Sequence, residues 1–169
     1  MKTNFTLALV LASALALSAC SRKAPKILPP DPGGAVSTDT SGGSTAATPG
    51  SQADFAAQMM GQDTVYFDTD QYNIDSADQQ ALGAQAVWLA KYPAKRVTIE
   101  GHTDERGTRE YNLALGERRA NAAKNYLVSQ GVEAGRLTTQ TFGKDRPVAL
   151  ESTEDAWSRN RRAVTITID

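Results

Sequence analysis

Glu100–Ala120 reads EGHTDERGTREYNLALGERRA, and the fold is organised around it. The residues just before it, Arg96–Glu100 (RVTIE), alternate polar and apolar as a half-buried strand does. After it, Thr108 stands in an N-cap position for a helix running to Ser129 or Gln130, with Gly131 in the C′ position. The stretch is therefore a strand-to-helix loop. Such loops gather polar side chains and helix N-terminal amides at one rim of a sheet, a frequent place for a ligand. His102, Thr103 and Asp104 fall on the loop. Asn112, Leu115 and Arg119 are spaced i, i+3, i+7 and share one helix face. A carboxylate on the loop and a guanidinium along the helix then face a common pocket. One fixed anion and one fixed cation make a receptor for a zwitterion, Asp104 taking an ammonium and Arg119 a carboxylate.

Working outward, Thr64–Phe67 (TVYF) is a short β-rich run. Ser76 to Gln79 has the spacing of a capping box. Leu82, Ala86 and Leu89 repeat at helical spacing until Tyr92-Pro93 ends the helix. Leu137–Phe142 (LTTQTF) predicts a third strand, residues 153–159 a helical turn, and Ala163–Ile168 (AVTITI) a last strand. The pattern is βαβαβ(α)β, an α+β two-layer sandwich: a mixed four-stranded sheet with helices on one face. Residues 51–169 are long enough for one such domain. Trp88 and Trp157 are expected to fill or cover its core.

The first fifty residues have a different composition. Phe5 to Ala19 carries no charge and follows Lys2. About 15 apolar residues are short for a bilayer core, which needs roughly 20, but they suit the apolar segment of a signal peptide. Leu17-Ser-Ala-Cys20 resembles the bacterial lipobox. That resemblance implies cleavage after Ala19, so that 1–19 is a signal peptide, and acyl chains on Cys20. One acyl chain anchors only marginally, whereas several make attachment effectively permanent. Among such lipoproteins Ser21, rather than an aspartate, implies the outer membrane. The remainder of 20–50 holds five of the seven prolines and five of the thirteen glycines, the composition of a tether.

From Ser51 onward there are 14 Lys and Arg against 17 Asp and Glu, which argues against nucleic acid as a partner. The six aspartates before Lys91 read mostly as a solvated face and helix N-termini. There is no cysteine in this part, and His102 is the only histidine of the chain. A zinc hydrolase lacks its ligands, and no serine sits in a Gly-x-Ser-x-Gly context. No metal and no cofactor is expected.

Asn112, Leu115, Gly116, Arg119 and Ala120 resemble the core motif of the OmpA-like C-terminal domain family, with Gly116 where a serine is usual. Val65-Tyr-Phe-Asp68, Gly101–Gly107 and Asn160-Arg-Arg162 extend the resemblance across residues 64–169. With the lipobox and tether it points to the lipid-anchored members that belong to the Tol system. It implies non-covalent binding of peptidoglycan through the meso-diaminopimelate of the stem peptide, tethering the outer membrane to the cell wall in envelope integrity and cell division. By position, Asp104 holds the ammonium, Arg119 the carboxylate and Asn112 the peptide backbone. Arg162 adds a second cation, and Phe67, Asp68, His102, Thr103 and Leu115 line the pocket. TolB and other Tol proteins are the implied partners. The missing serine at Gly116 is expected to remove at most one hydroxyl contact. The alternative is a peptidoglycan hydrolase at the same site, with Asp68, His102 and Asp104 as acid and base.

Overall fold

In the computed structural model, which describes residues 47–168, four helices and four strands alternate along the chain. They are α1 (Gln52–Met59), β1 (Thr64–Tyr66), α2 (Ser76–Lys91), β2 (Arg96–His102), α3 (Arg109–Ser129), β3 (Leu137–Gly143), α4 (Glu154–Asn160) and β4 (Arg162–Ile168). The expected signal peptide 1–19, the expected lipid attachment at Cys20 and the expected tether as far as residue 46 lie outside the described residues.

The sheet order is β1-β4-β2-β3. β2 and β3 run parallel, joined through α3, while β4 is antiparallel to both β1 and β2. The sheet is mixed and four-stranded, as expected. Phe55, Leu82, Leu89, Val97, Ile99 and Leu127 are fully buried between it and the helices.

Local chemistry places the helices. Thr108 caps α3 through the Tyr111 amide, and Gly131 takes φ +92° beyond its end. For α2 the N-cap is Asp75 rather than Ser76. The capping box is Asp75 with Asp78, their side chains accepting from each other's backbone amides at 2.8 and 3.3 Å. The other Asp78 oxygen accepts from the Tyr66 amide at 3.3 Å and ties β1 to α2. α1 is an element the pattern did not reveal. Ser51, where the domain is expected to begin, caps it, and Phe55 packs edge-on to Trp88 at 4.9 Å.

The last strand alternates as predicted, with the opposite face inward. Thr165 and Thr167 are buried while Ile168 is exposed. Gln85 of α2 and Gln52 of α1 accept from the two hydroxyls at 2.7 and 2.8 Å. Buried hydroxyls with partners cost little, and these two let the helices cross the sheet closely.

The closest approach is at Gly101 and Gly116. A Cβ on Gly101 would stand 1.8 Å from the Gly116 carbonyl oxygen, and one on Gly116 would stand 2.5 Å from Thr141 Oγ1. The expectation that Gly116 merely lacks a hydroxyl contact is thereby corrected: the position has no room for a side chain. This contact presses α3 onto β2 and β3 and sets the rim that carries the site.

Candidate functional site

At the end of β2 the chain leaves the sheet and makes a turn before α3, opening a cavity of about 270 Å³. Thr103, Asp104, Asn112, Leu115 and Arg119 line it, together with Thr69, Asp70, Arg106, Gly107 and Tyr111. Five of the nine pocket residues expected from sequence thus meet in one place.

Asp104 is buried and already held by cations. Arg106 donates to both of its oxygens, from Nε at 3.1 Å and from Nη2 at 2.7 Å, and the Arg106 amide adds a bond of 3.1 Å. Arg161 Nη1 lies 3.5 Å away. Burial pushes the Asp104 carboxyl up, but the Arg106 hydrogen bonds and charge and the Arg161 contact outweigh it, leaving the group below its ordinary value. It is an anion at neutral pH.

Arg119 lines the cavity from behind the residues that cover it, and its side chain is 0 % exposed. It donates to the carbonyls of Gln71 (2.9 Å), His102 (2.9 Å) and Asp68 (3.0 Å), and its guanidinium lies over the Phe67 ring at 5.1 Å. Three of its five N–H groups are used in this way. Burial, and then the Arg161 charge, lower its pKa to about 10, so it stays charged at neutral pH. Asn112 directs its amide N–H groups to the carbonyls of Arg106 and Thr108, at 2.7 and 2.9 Å, and so shapes the loop.

The other expected residues go elsewhere. Phe67 and Asp68 line a neighbouring cavity of about 240 Å³ with Arg161; they reach Arg119 through the Phe67 ring and the Asp68 carbonyl, not through the Asp68 carboxylate. His102 is the last residue of β2, not a loop residue. Gly101 faces α3, so His102 points to the opposite side of the sheet. There it stacks on Phe142 at 5.5 Å, with its Nε2 3.5 Å from Glu100. Burial, with Arg162 and Arg146 nearby, pushes its pKa down to about 4. Arg162 pairs with Tyr66 in the sheet and shares that far face. Its predecessor Arg161 is the one that turns toward Asp104.

Sequence reasoning passed over Arg106, Arg161, Asp70 and Tyr111, whose hydroxyl donates to Asp70 at 3.2 Å. Arg106 sat two residues beyond the selected aspartate, the spacing of a short turn that folds back on itself. Trp157, expected to fill or cover the core, is half-buried at the rim. It holds Glu105 through Nε1 at 3.0 Å and packs against Arg106 at 4.3 Å. Among the described residues no group of His, Cys, Asp and Glu is arranged to hold a metal ion, and no helix is long and apolar enough to cross a membrane.

Fold and cavity together define a helix-on-sheet domain with a small cavity of mixed charge at one rim. The chain belongs to the OmpA family, whose profile matches residues 66–161. The relatives it resembles along most of its length are peptidoglycan-associated lipoproteins. That of Rhizobium meliloti is 51% identical over 158 residues, spanning 94% of this chain and 85% of the relative. That of Haemophilus influenzae is 43% identical, spanning 92% and 93%. Among solved structures, the peptidoglycan-associated lipoprotein from Burkholderia pseudomallei superposes with a TM-score of 0.61 at 42% identity, covering 62% of this chain and 89% of that one. The C-terminal domain of Helicobacter pylori MotB shares the fold alone, with 18% identity and a TM-score of 0.59 over 63% of this chain and 84% of that one.

Proposed function

We propose that this chain is an outer-membrane lipoprotein, anchored through Cys20, whose domain faces the periplasm and holds peptidoglycan non-covalently by the meso-diaminopimelate of the stem peptide. The observation that carries the reading is the convergence of Asp104 and Arg119 on one cavity of about 270 Å³. The free end of diaminopimelate is a zwitterion. Its ammonium joins Asp104, sharing the carboxylate with or displacing Arg106, whose side chain is partly exposed. Its carboxylate is drawn toward the Arg119 guanidinium, whose charge lies behind the cavity wall and which keeps two N–H groups beyond those given to backbone carbonyls. Leu115 and the methyl of Thr103 pack against the aliphatic stem between the two charges.

This reading is one of binding, not turnover. A hydrolase needs a proton donor and a base close together. Asp104 is held ionised by Arg106 and Arg161, Asp68 lines another cavity, and His102 lies across the sheet. The resemblance adds membership of the Tol system, with TolB as protein partner, in envelope integrity and cell division.

The test is incubation of the full-length protein in detergent with purified sacculi. Co-sedimentation without release of soluble muropeptides is the expected result. Release beyond one muropeptide per protein molecule would make the chain an enzyme.

A further inference from the structure

Thr103 forms a wall of the binding cavity and also of a second cavity of about 80 Å³, on the side of Glu105 rather than Asp104. The second cavity is built, not incidental. Asn160, 3% exposed, accepts the amides of Val148 and Ala149 at 2.8 and 3.1 Å and donates to the Ala149 carbonyl at 2.7 Å. These bonds fix residues 147–150, with Ala149 turned inward and Val148 and Leu150 held 62% and 81% exposed. Opposite, Lys144 donates to the carbonyls of Glu105 (3.1 Å) and Gly107 (2.7 Å), which locks the partition between the two cavities and leaves one N–H of its three.

At about 80 Å³ the second cavity is roughly half the size of a cavity of about 150 Å³ that takes benzene, so it suits a small aliphatic group better than an aromatic ring. Pro147, Ala149 and Leu150 form its apolar side and the charged Glu105, Lys144 and Glu151 its polar side, with Thr103 the wall it shares with the first cavity. Locking by a buried asparagine means that the ligand meets these apolar groups already positioned, at little entropic cost.

We infer that this second cavity is a subsite for the stem-peptide residue that follows the diamino acid, and that it takes an alanine-sized side chain covered by Leu150. The inference rests on the peptidoglycan reading above. Its test is calorimetry on the full-length protein in detergent with synthetic stem tetrapeptides that carry alanine, glycine or phenylalanine after meso-diaminopimelate. The alanine peptide binds about four-fold tighter than the glycine peptide, the worth of one buried methyl group, and the phenylalanine peptide binds weakest. The exposed Leu150 is replaced without disturbing the core, and Leu150→Ser brings the alanine and glycine peptides to within two-fold of each other. Equal affinities for all three peptides in the wild type, or an alanine preference that survives Leu150→Ser, would overturn the subsite. If no peptide binds at all, the failure belongs to the peptidoglycan reading.

Discussion

Asp104 and His102 are two residues apart, yet they respond to acid in opposite ways. Asp104 has a pKa below its ordinary 3.8 because its cationic neighbours outweigh its burial. A depressed carboxyl keeps its contribution above the ordinary value and loses it only as pH falls through the lowered one. Sacculus binding is therefore expected to hold from neutral pH down through the ordinary carboxylate range and to fall only in stronger acid, as read by co-sedimentation across a pH series. His102 is buried in its neutral form, with a pKa near 4 against an ordinary 6.5. The unfolded chain binds the proton first, so stability drops as pH falls from about 6.5 toward 4, at no more than about 1.4 kcal/mol per pH unit. Urea unfolding at pH 7 and pH 5 measures this slope, and His102→Gln flattens it; an equal slope in the variant would remove His102 as the cause. Single residues were legible where chemistry and spacing coincided, as for Asp104 with Arg119. They were not where parity decided. Arg161 and Arg162 are adjacent and chemically alike, and only the start of β4, unmarked in the sequence, turns one toward Asp104 and the other to the far face.

At the scale of elements, two contacts carry the helix layer, and both are open to test. Gly101 meets the Gly116 backbone with no room for a Cβ. Gly101→Ala is expected to cost about 3 kcal/mol in chemical unfolding, at the upper end of the usual penalty for overpacking. The Thr165 hydroxyl is satisfied by Gln85, which in turn donates to the Gln62 carbonyl at 2.6 Å. Gln85→Leu leaves that hydroxyl and that carbonyl without their partner and costs about 2 kcal/mol. Adding Thr165→Val to Gln85→Leu recovers part of that loss, and a double-mutant cycle reads the coupling. Purely additive losses would show that the two side chains act independently. The strands and the two long helices were readable because Pro93, Thr108, Gly131 and the alternation of AVTITI are local signals. Alternation alone does not say which face is buried. The partners that made the threonine face the inner one, Gln52 and Gln85, lie far away in sequence. α1 escaped notice because it is eight residues long and adjoins the tether, and its two buried residues, Phe55 and Met59, gain meaning only against Trp88.

At the scale of the molecule, the proposed function divides the chain between a lipid end and a wall end. Membrane retention should depend on Cys20 and wall retention on the cavity, independently. Cys20→Ser is expected to move the protein from the membrane fraction to the soluble fraction after cell disruption while leaving its binding to purified sacculi intact. Loss of both together would mean that the anchor and the domain do not act separately. Arg119 is a poor place to test the wall end, because it ties the backbone of residues 68, 71 and 102 together and its removal disturbs the fold. Asp104 is better suited, since Asp104→Asn keeps the shape of the side chain and removes the anion. The most direct test is calorimetric titration of the full-length protein with a stem tripeptide ending in meso-diaminopimelate. The expected result is saturable one-to-one binding to the wild type, weakened at least ten-fold in Asp104→Asn with the circular dichroism spectrum preserved. Equal affinity in the two proteins would contradict the placement of the ligand in this cavity.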